Sequence, residues 1–355
     1  MSKRRSLGYA AGGLGAAVMA ALATGVVVER RVVRTRRAGG AEADRLGALR
    51  SNPVLVTCDD GVVLHAEVDE VAPYAGRKRR RRDDVTLIFL HGYALNLDCW
   101  HFQREAFRGK HRMVFFDQRS HGRSERSDRE HATIDQLGDD LTHVIVKLAP
   151  KGDVILVGHS MGGMAIIAFA ERHPELFARR VTGVALVSTT AGGLHPHRTL
   201  GRWIPDRLGQ VLAPRVIAAL AKAPELVDSA RRSGSNIGFI VADMFAFGSN
   251  DVPAAEVEFL DEMLAGTSFD VLAEFFPSFT KLDKFEQLTA FGAVPTTIIC
   301  GTKDKLTSIG HSRKMAEKLP EAQLVECEGA GHMVIFESRD QVNSALEDLV
   351  VAASG

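Results

Sequence analysis

The chain has 355 residues, 45% hydrophobic and 25% charged, which is enough for one large or two small globular domains. These proportions exclude an intrinsically disordered chain, a collagen-like fibre and a protein with many membrane spans. The 44 basic and 44 acidic side chains balance, which disfavours a nucleic-acid-binding protein, since that class usually carries a basic excess.

The N-terminal segment differs from the rest in charge and hydropathy. Residues 1–50 hold ten basic and three acidic side chains, which leaves 34 basic and 41 acidic ones for the remainder. Leu7–Val28 is a run of 22 uncharged residues with basic residues on both sides. About 20 apolar residues suffice to cross a bilayer as a helix. We therefore predict a single N-terminal transmembrane helix within residues 1–37, followed by a linker at 38–51.

Two other interpretations of this segment stay open. Ala21-Leu22-Ala23 fits a signal-peptidase site, so the run is alternatively a cleaved export signal, or else a peripheral membrane segment. The larger number of arginines after the run favours a cytoplasmic body, with an exported form as the alternative. The six consecutive basic residues Arg77–Arg82 are either a second contact with anionic lipid or a solvated loop.

From residue 52 onward, strand-like and helix-like patterns alternate. The predicted strands are Val54–Cys58, Val62–Val68, Thr86–Leu90, Met113–Phe116, Val154–Val157, Val184–Val187, Thr296–Ile299 and Gln323–Cys327. Ile134–Leu148 and Met164–His173 are among the predicted helices. Strands that are apolar on both faces are typical of a parallel sheet covered by helices. The prediction is an α/β fold over residues 52–350, with a mainly parallel central sheet and helices on both faces.

The alternation stops between residues 189 and 294, which we predict to form a helical cap inserted before the strand Thr296–Ile299. Eight phenylalanines fall between Ile237 and Thr280. They either line an apolar substrate pocket or pack the interior of the cap itself.

The four cysteines form no CxxC pair, and we predict buried thiols. A bridge between Cys300 and Cys327 stays open, because both lie near the ends of neighbouring predicted strands.

The strand Val154–Val157 leads through Gly158-His159-Ser160-Met161-Gly162 into an apolar helix. This is the G-x-S-x-G pattern in its strand–turn–helix context. Such a turn lifts one hydroxyl above the end of the sheet, and the two glycines let the helix cross close to the strand. Ser160 is therefore the candidate nucleophile.

Serine at its ordinary pKa is a poor nucleophile and requires a base, together with a group that orients the base. Asp304 follows the strand Thr296–Ile299, and His332 follows the last strand within Gly329-Ala330-Gly331-His332. The chain order serine, acid, histidine fits a catalytic triad. Backbone N–H groups of Tyr93, in the loop after Thr86–Leu90, and of Met161 are the candidates for an oxyanion hole.

Taken together, these motifs resemble the α/β-hydrolase family, in its lipase, esterase and perhydrolase-like branch, over residues 52–350. The resemblance rests on the segments His91-Gly92, residues 117–124, residues 158–163, residues 301–304 and Gly331-His332. It implies the nucleophile, acid, base and oxyanion positions at Ser160, Asp304, His332, Tyr93 and Met161. It implies no cofactor, and the sequence offers no convincing metal site.

The predicted function is hydrolysis of carboxylic-ester-like bonds in a small or lipid-like apolar substrate through an acyl-enzyme, with membrane lipid as the only other expected partner. A cofactor-free perhydrolase, a C–C bond hydrolase and a non-catalytic ligand-binding homologue remain as alternatives. An epoxide hydrolase is disfavoured, because those members of the family require aspartate at the position of Ser160.

Overall fold

The computed structural model describes residues 46–72, 85–194, 246–249, 251–292 and 294–354. The strands are β1 (Pro53–Thr57), β2 (Val63–Asp69), β3 (Thr86–Leu90), β4 (Arg112–Phe116), β5 (Val154–His159), β6 (Val181–Val187), β7 (Thr296–Gly301) and β8 (Gln323–Cys327). They form one eight-stranded sheet in the order β1-β2-β4-β3-β5-β6-β7-β8. β2 runs antiparallel to both of its neighbours, and all other neighbouring pairs are parallel. The predicted, mainly parallel sheet is confirmed.

Helices cover both faces of this sheet. In the described ranges they are α1 (His101–Phe107), α2 (Ile134–Leu148), α3 (Met161–Arg172), α4 (Pro174–Arg180), α5 (Ala254–Gly266), α6 (Phe269–Lys281), α7 (Ile309–Lys318), α8 (Val334–Glu337) and α9 (Arg339–Ala353). One apolar core lies between the sheet and α2, α3, α4, α6 and α7. The second lies on the opposite face, beneath α1, α5, α8 and α9.

Helix α2 has the bounds that the sequence predicts, because local signals agree with the packing. The Thr133 hydroxyl accepts a hydrogen bond from the Gln136 N–H and caps the first turn. The buried positions Ile134, Leu137, Leu141, Val144, Ile145 and Leu148 follow the spacing of three and four residues that marks one helical face.

Several strand bounds differ from the prediction by one or two residues, and tertiary contacts explain the two larger differences. β6 begins at Val181 rather than Val184, because Val181 and Gly183 pair with β5. α3 begins at Met161 rather than Met164, although Gly162 and Gly163 are poor helix formers. The close contacts of α3 with Leu90 and Thr189 require these small residues.

The four cysteines are buried, free thiols, as predicted. Cys300 and Cys327 do not form the bridge that the sequence left open. Ile299 and Cys327 belong to the core on one face of the sheet. Since side chains alternate along a strand, Cys300 points to the opposite face, where its thiol lies near Asp304 and the Thr307 carbonyl.

Several predictions concern parts of the chain outside the described residues. These are the helix at Leu7–Val28, most of the linker at 38–51, the basic run Arg77–Arg82 and the cap residues 195–245. Among the residues that the structure describes, no helix is both long enough and apolar enough to span a bilayer.

Candidate active site

Ser160 occupies a strained turn between β5 and α3. Its φ of 51° and ψ of −116° lie in a region that residues with a Cβ rarely adopt. Strain of this kind costs on the order of 1–3 kcal/mol and persists only where surrounding contacts enforce it. Here the Ser160 N–H donates to the Val187 carbonyl at 2.9 Å, and the Ser160 carbonyl accepts the Thr189 hydroxyl at 2.6 Å. These bonds fix the serine at the carboxyl end of the sheet, as the motif predicts.

The two glycines of the motif allow contacts that no other residue permits. A Cβ added to Gly162 would lie 2.3 Å from the Leu90 carbonyl oxygen of β3. One added to Gly158 would lie 2.6 Å from the Gly162 backbone. Helix α3 therefore crosses the sheet at backbone contact distance, which brings the N–H of Met161 next to Ser160 at the start of the helix.

The loop after β3 lies against this turn. A Cβ on Gly92 would be 3.2 Å from the Ser160 Cβ. The His91 Nδ1–H donates to the Gly92 carbonyl at 2.7 Å, while its Nε2 accepts the Gln118 N–H at 2.9 Å. Because the C=O and N–H of a trans peptide point in opposite directions, this bond directs the Tyr93 N–H away from the His91 ring.

Asp304 and His332 are in direct contact in the loops that follow β7 and β8. The His332 Nδ1 donates to Asp304 Oδ2 at 2.9 Å. The other carboxylate oxygen accepts the N–H groups of Leu306 at 2.8 Å and Thr307 at 2.9 Å. Burial alone would raise the pKa of Asp304, but the charge of His332 and these hydrogen bonds outweigh it and lower the pKa. Asp304 is therefore an anion at neutral pH, and in the neutral imidazole its bond to Nδ1–H leaves Nε2 as the ring nitrogen that can accept a proton.

His159 joins the histidine loop to the serine turn. Its Nε2–H donates to the His332 carbonyl at 3.0 Å, and the two imidazole rings lie 4.9 Å apart. Since Ser160 directly follows His159, this bond brings the His332 loop beside the serine. All three side chains of the predicted triad are buried, with Ser160 9%, Asp304 5% and His332 6% exposed.

Thr307 is a site residue that the sequence analysis missed. Its hydroxyl donates to Asp304 Oδ2 at 2.9 Å and lies 3.3 Å from the His332 Nδ1. A threonine three residues after a loop aspartate is a signal for such a bond, because aspartate often accepts hydrogen bonds from the residues that follow it. Thr189, which binds the Ser160 carbonyl, offers no comparable signal in the sequence.

Replacing Thr307 with valine keeps the shape of the side chain but removes this donor. Hydrogen bonds to charged groups contribute about 1.5–3 kcal/mol, so we expect Thr307→Val to lower kcat/KM on an ester about tenfold. Steady-state kinetics measure this effect. Thr307→Ser, which keeps the hydroxyl, should stay close to the wild-type value, and equal losses in both variants would contradict the role assigned to the hydroxyl.

His91, His121 and His159 form a buried group around the serine and the loop after β3. Burial lowers the pKa of His91 and His159 to about 3 and that of His121 to about 4. Burial raises the pKa of Asp117 to about 6. At pH 5–6 the unfolded chain therefore binds three protons at the histidines that the folded chain does not, while the folded chain keeps one at Asp117.

The net effect is that acid destabilises the fold at pH values well above those at which carboxylates usually titrate. A net difference of about two protons means that the free energy of unfolding should fall by about 2.7 kcal/mol per pH unit between about pH 6 and pH 5. Urea unfolding at these two pH values measures it. In His121→Asn the slope should fall by about 1.4 kcal/mol per pH unit. Stability that is constant or rises on acidification would contradict the prediction.

Helix α6, which belongs to the predicted cap, packs onto the loop after β3. The Tyr93 hydroxyl donates to the Leu272 carbonyl, and the Tyr93 ring meets Phe279 edge-on at 4.9 Å. Phe275 meets His121 at 5.4 Å. Of the eight predicted cap phenylalanines, Phe239 and Phe245 lie outside the described residues. Phe247, Phe275 and Phe279 are buried in the two cores, which favours the packing interpretation for these three.

Comparison with known proteins identifies the family. The family model for the alpha/beta hydrolase fold matches residues 85–338. Epoxide hydrolase 1 of Caenorhabditis elegans is 26% identical over 274 residues, covering 75% of this chain but only 64% of that enzyme. Non-heme chloroperoxidase CPO-A1 of Kitasatospora aureofaciens is 26% identical over 262 residues, covering 72% of this chain and 87% of that protein.

The solved structure of a thermophilic esterase from Thermogutta terrifontis covers 86% of this chain and 100% of its own, with a TM-score of 0.62 at 20% identity. At this identity the likeness shows the fold alone. The matched residues 85–338 contain the serine turn, the loop after β3, Asp304 and His332. The chain belongs to the α/β-hydrolase fold family.

Proposed function

We propose that this protein is a serine hydrolase of carboxylic-ester-like bonds, with Ser160 as nucleophile, His332 as base and Asp304 as the group that orients the base. One observation carries the proposal. The His332 Nδ1 lies 2.9 Å from the buried Asp304 carboxylate, in a loop tied through His159 to a serine at a φ of 51°. A nucleophile, a base and an orienting acid in this relation are what acyl transfer requires.

In this mechanism Ser160 Oγ attacks the ester carbonyl carbon while its proton passes to the His332 Nε2. The N–H groups of Tyr93 and Met161 stabilise the negative charge that develops on the carbonyl oxygen. The leaving alkoxide takes the proton from His332, and an acyl-enzyme remains on Ser160. Water then gives its proton to His332 and attacks the acyl group. The carboxylic acid departs as Ser160 recovers its proton.

The substrate we propose is a small or lipid-like ester with an apolar acyl part. The support for this class is the segment between Ile237 and Thr280, which holds eight phenylalanines. Phe247, Phe275 and Phe279 are buried in the two cores, so the acyl part would meet other members of this group.

Hydrolysis of p-nitrophenyl esters of increasing acyl length, together with labelling by a fluorophosphonate, tests the proposal. We expect hydrolysis and labelling of a single serine, with a preferred acyl length set by the cap. A folded protein that hydrolyses no ester and takes no label would overturn it.

A second candidate is peracid formation from a carboxylic acid and hydrogen peroxide. It is favoured by the similarity to a protein named non-heme chloroperoxidase. In this reaction peroxide replaces water in the attack on the same acyl-enzyme. Peracid formation from acetate and peroxide at a rate above that of ester hydrolysis would favour this candidate.

Attachment to a membrane is a further part of the proposal and rests on the sequence of residues 1–37 and Arg77–Arg82. We propose a single anchor with the catalytic body on the cytoplasmic side. Neutral replacements across Arg77–Arg82 should weaken binding to anionic vesicles at low salt. Unchanged binding would remove the basic run from the proposal.

A further inference from the structure

The backbone on both sides of His332 is hydrogen-bonded to groups outside its own loop. The Gly331 N–H donates to Glu337 Oε1 at 2.6 Å. The Met333 N–H donates to the Ala246 carbonyl at 2.9 Å. The loop has no regular secondary structure of its own, so these bonds, with the one from His159, set the direction in which the imidazole projects.

Glu337 also binds the chain segment Ala246–Ser249, which lies within the predicted cap and precedes α5. Its Oε2 accepts the Gly248 N–H at 2.9 Å. The two backbones are in direct contact at this point, since a Cβ on Gly331 would lie 2.3 Å from the Gly248 nitrogen. A single carboxylate thus bridges the histidine loop and the segment Ala246–Ser249.

The chemistry of this bridge requires a carboxylate. Ionised glutamate has acceptor oxygens on both arms, so each oxygen takes one of the two N–H groups. An amide of the same shape has one acceptor and one donor, and its NH₂ would face an N–H. Burial raises the pKa of Glu337, while the N–H groups of Gly248 and Gly331 oppose that rise.

We propose that Glu337 is a positioning residue for His332. The carboxylate of Glu337 fixes both the position of the segment Ala246–Ser249 and the orientation of the His332 imidazole. The inference rests on the proposed triad. It extends the triad with a residue that touches neither substrate nor reacting atoms. A displacement of about 1 Å in a catalytic group lowers the rate by about 10²-fold, so a backbone tie of this kind has a measurable effect on kcat.

A purely structural role would have different consequences. If Glu337 only held the cap in place, its loss would weaken binding of long acyl chains and raise KM, while turnover of a short ester would persist. If Glu337 positions His332, the loss falls on kcat even for an acetyl ester, which makes little contact with the cap.

The test compares Glu337→Gln and Glu337→Ala in the full chain with p-nitrophenyl acetate as substrate. We expect kcat to fall about tenfold in the glutamine variant and about 10²-fold in the alanine variant, with KM within about threefold of wild type. The rate of inactivation by a fluorophosphonate should fall in the same order. Amide hydrogen exchange should rise at residues 246–249 and 329–333 and stay unchanged in β5 and β7.

Arg339→Gln is the matched control. Arg339 lies two residues from Glu337 and binds Glu256 of α5 at 2.8 Å. The substitution therefore removes a contact between the predicted cap and the body without touching the histidine loop. Its kcat should stay within about twofold of wild type, because Arg339 hydrogen-bonds to Glu256 and not to the histidine loop.

Unchanged kcat in Glu337→Gln, an effect on KM alone, or an equal loss of kcat in Arg339→Gln would each overturn the positioning role. If the alanine variant fails to fold, the glutamine variant decides, because it keeps the size of the side chain and one acceptor. A wild-type protein that neither hydrolyses the acetyl ester nor takes the label would instead refute the proposed triad.

Discussion

Ser160→Ala is expected to lower kcat/KM for p-nitrophenyl esters by at least about 10⁴-fold and to abolish labelling by a fluorophosphonate. The variant removes the oxygen that would carry the acyl group and leaves the rest of the site intact. Alanine keeps the Cβ that makes a φ of 51° costly, so the backbone strain is the same in both proteins. Any loss of activity is then chemical, and equal urea midpoints would verify this.

Ser188→Ala provides the control for this experiment. Ser188 is also a buried serine at positive φ and lies at the end of β6, next to the strand that carries Ser160. Its removal should leave the label on the protein and kcat/KM within about tenfold of wild type, since an ordinary buried hydroxyl contributes about 1 kcal/mol. Labelling that persists in Ser160→Ala but disappears in Ser188→Ala would identify Ser188 as the labelled residue and would contradict the role proposed for Ser160.

Much of the fold follows from local patterns. The strand Thr86–Leu90 has the predicted bounds because all five residues are apolar or β-branched and buried on both faces. The β6 extension from Val181 was not predictable, since Gly183 is a poor strand former and pairs only because β5 lies alongside. The start of α3 was missed for the same reason. Gly162 and Gly163 argue against a helix locally, whereas the contact of Gly162 with Leu90 and that of Gly163 with Thr189 leave no room for a Cβ.

The candidate site, like the fold, can be predicted from the sequence only in part. Ser160, Asp304 and His332 can be proposed from the sequence because each follows a predicted strand, and the carboxyl ends of parallel strands meet at one edge of a sheet. Glu337 was not found, because its partner Gly248 is 89 residues away and is recognised through a backbone N–H that any residue but proline supplies. The contact of α6 with Tyr93 was equally hidden, since it pairs a side chain with a carbonyl 179 residues away.

Asp304→Asn is expected to lower kcat by about 10³- to 10⁴-fold while leaving the protein folded. In the wild type the carboxylate accepts the Nδ1–H of His332, which leaves the Nε2 lone pair to take the proton from Ser160 in the proposed mechanism. An amide NH₂ at this place donates to Nδ1 instead and favours the tautomer with the proton on Nε2. That imidazole cannot act as the base.

Local geometry explains why the fold should survive this substitution. The asparagine oxygen still accepts the N–H groups of Leu306 and Thr307, which are the bonds that shape the loop. The Thr307 hydroxyl, now a donor to Asp304, can rotate and accept from the new NH₂. Urea midpoints should therefore move far less than kcat.

Asp283→Asn is the control for the loss of a carboxylate. Asp283 is exposed and lies before β7, whereas Asp304 is buried and lies after it. We expect its kcat to stay within about twofold of wild type, since exposed charges contribute little. If Asp304→Asn retained kcat within about tenfold of wild type, the orienting acid would have to be sought elsewhere, because an imidazole in the wrong tautomer cannot sustain that rate. A loss confined to Asp304→Asn would instead tie turnover to the bond between Asp304 and His332.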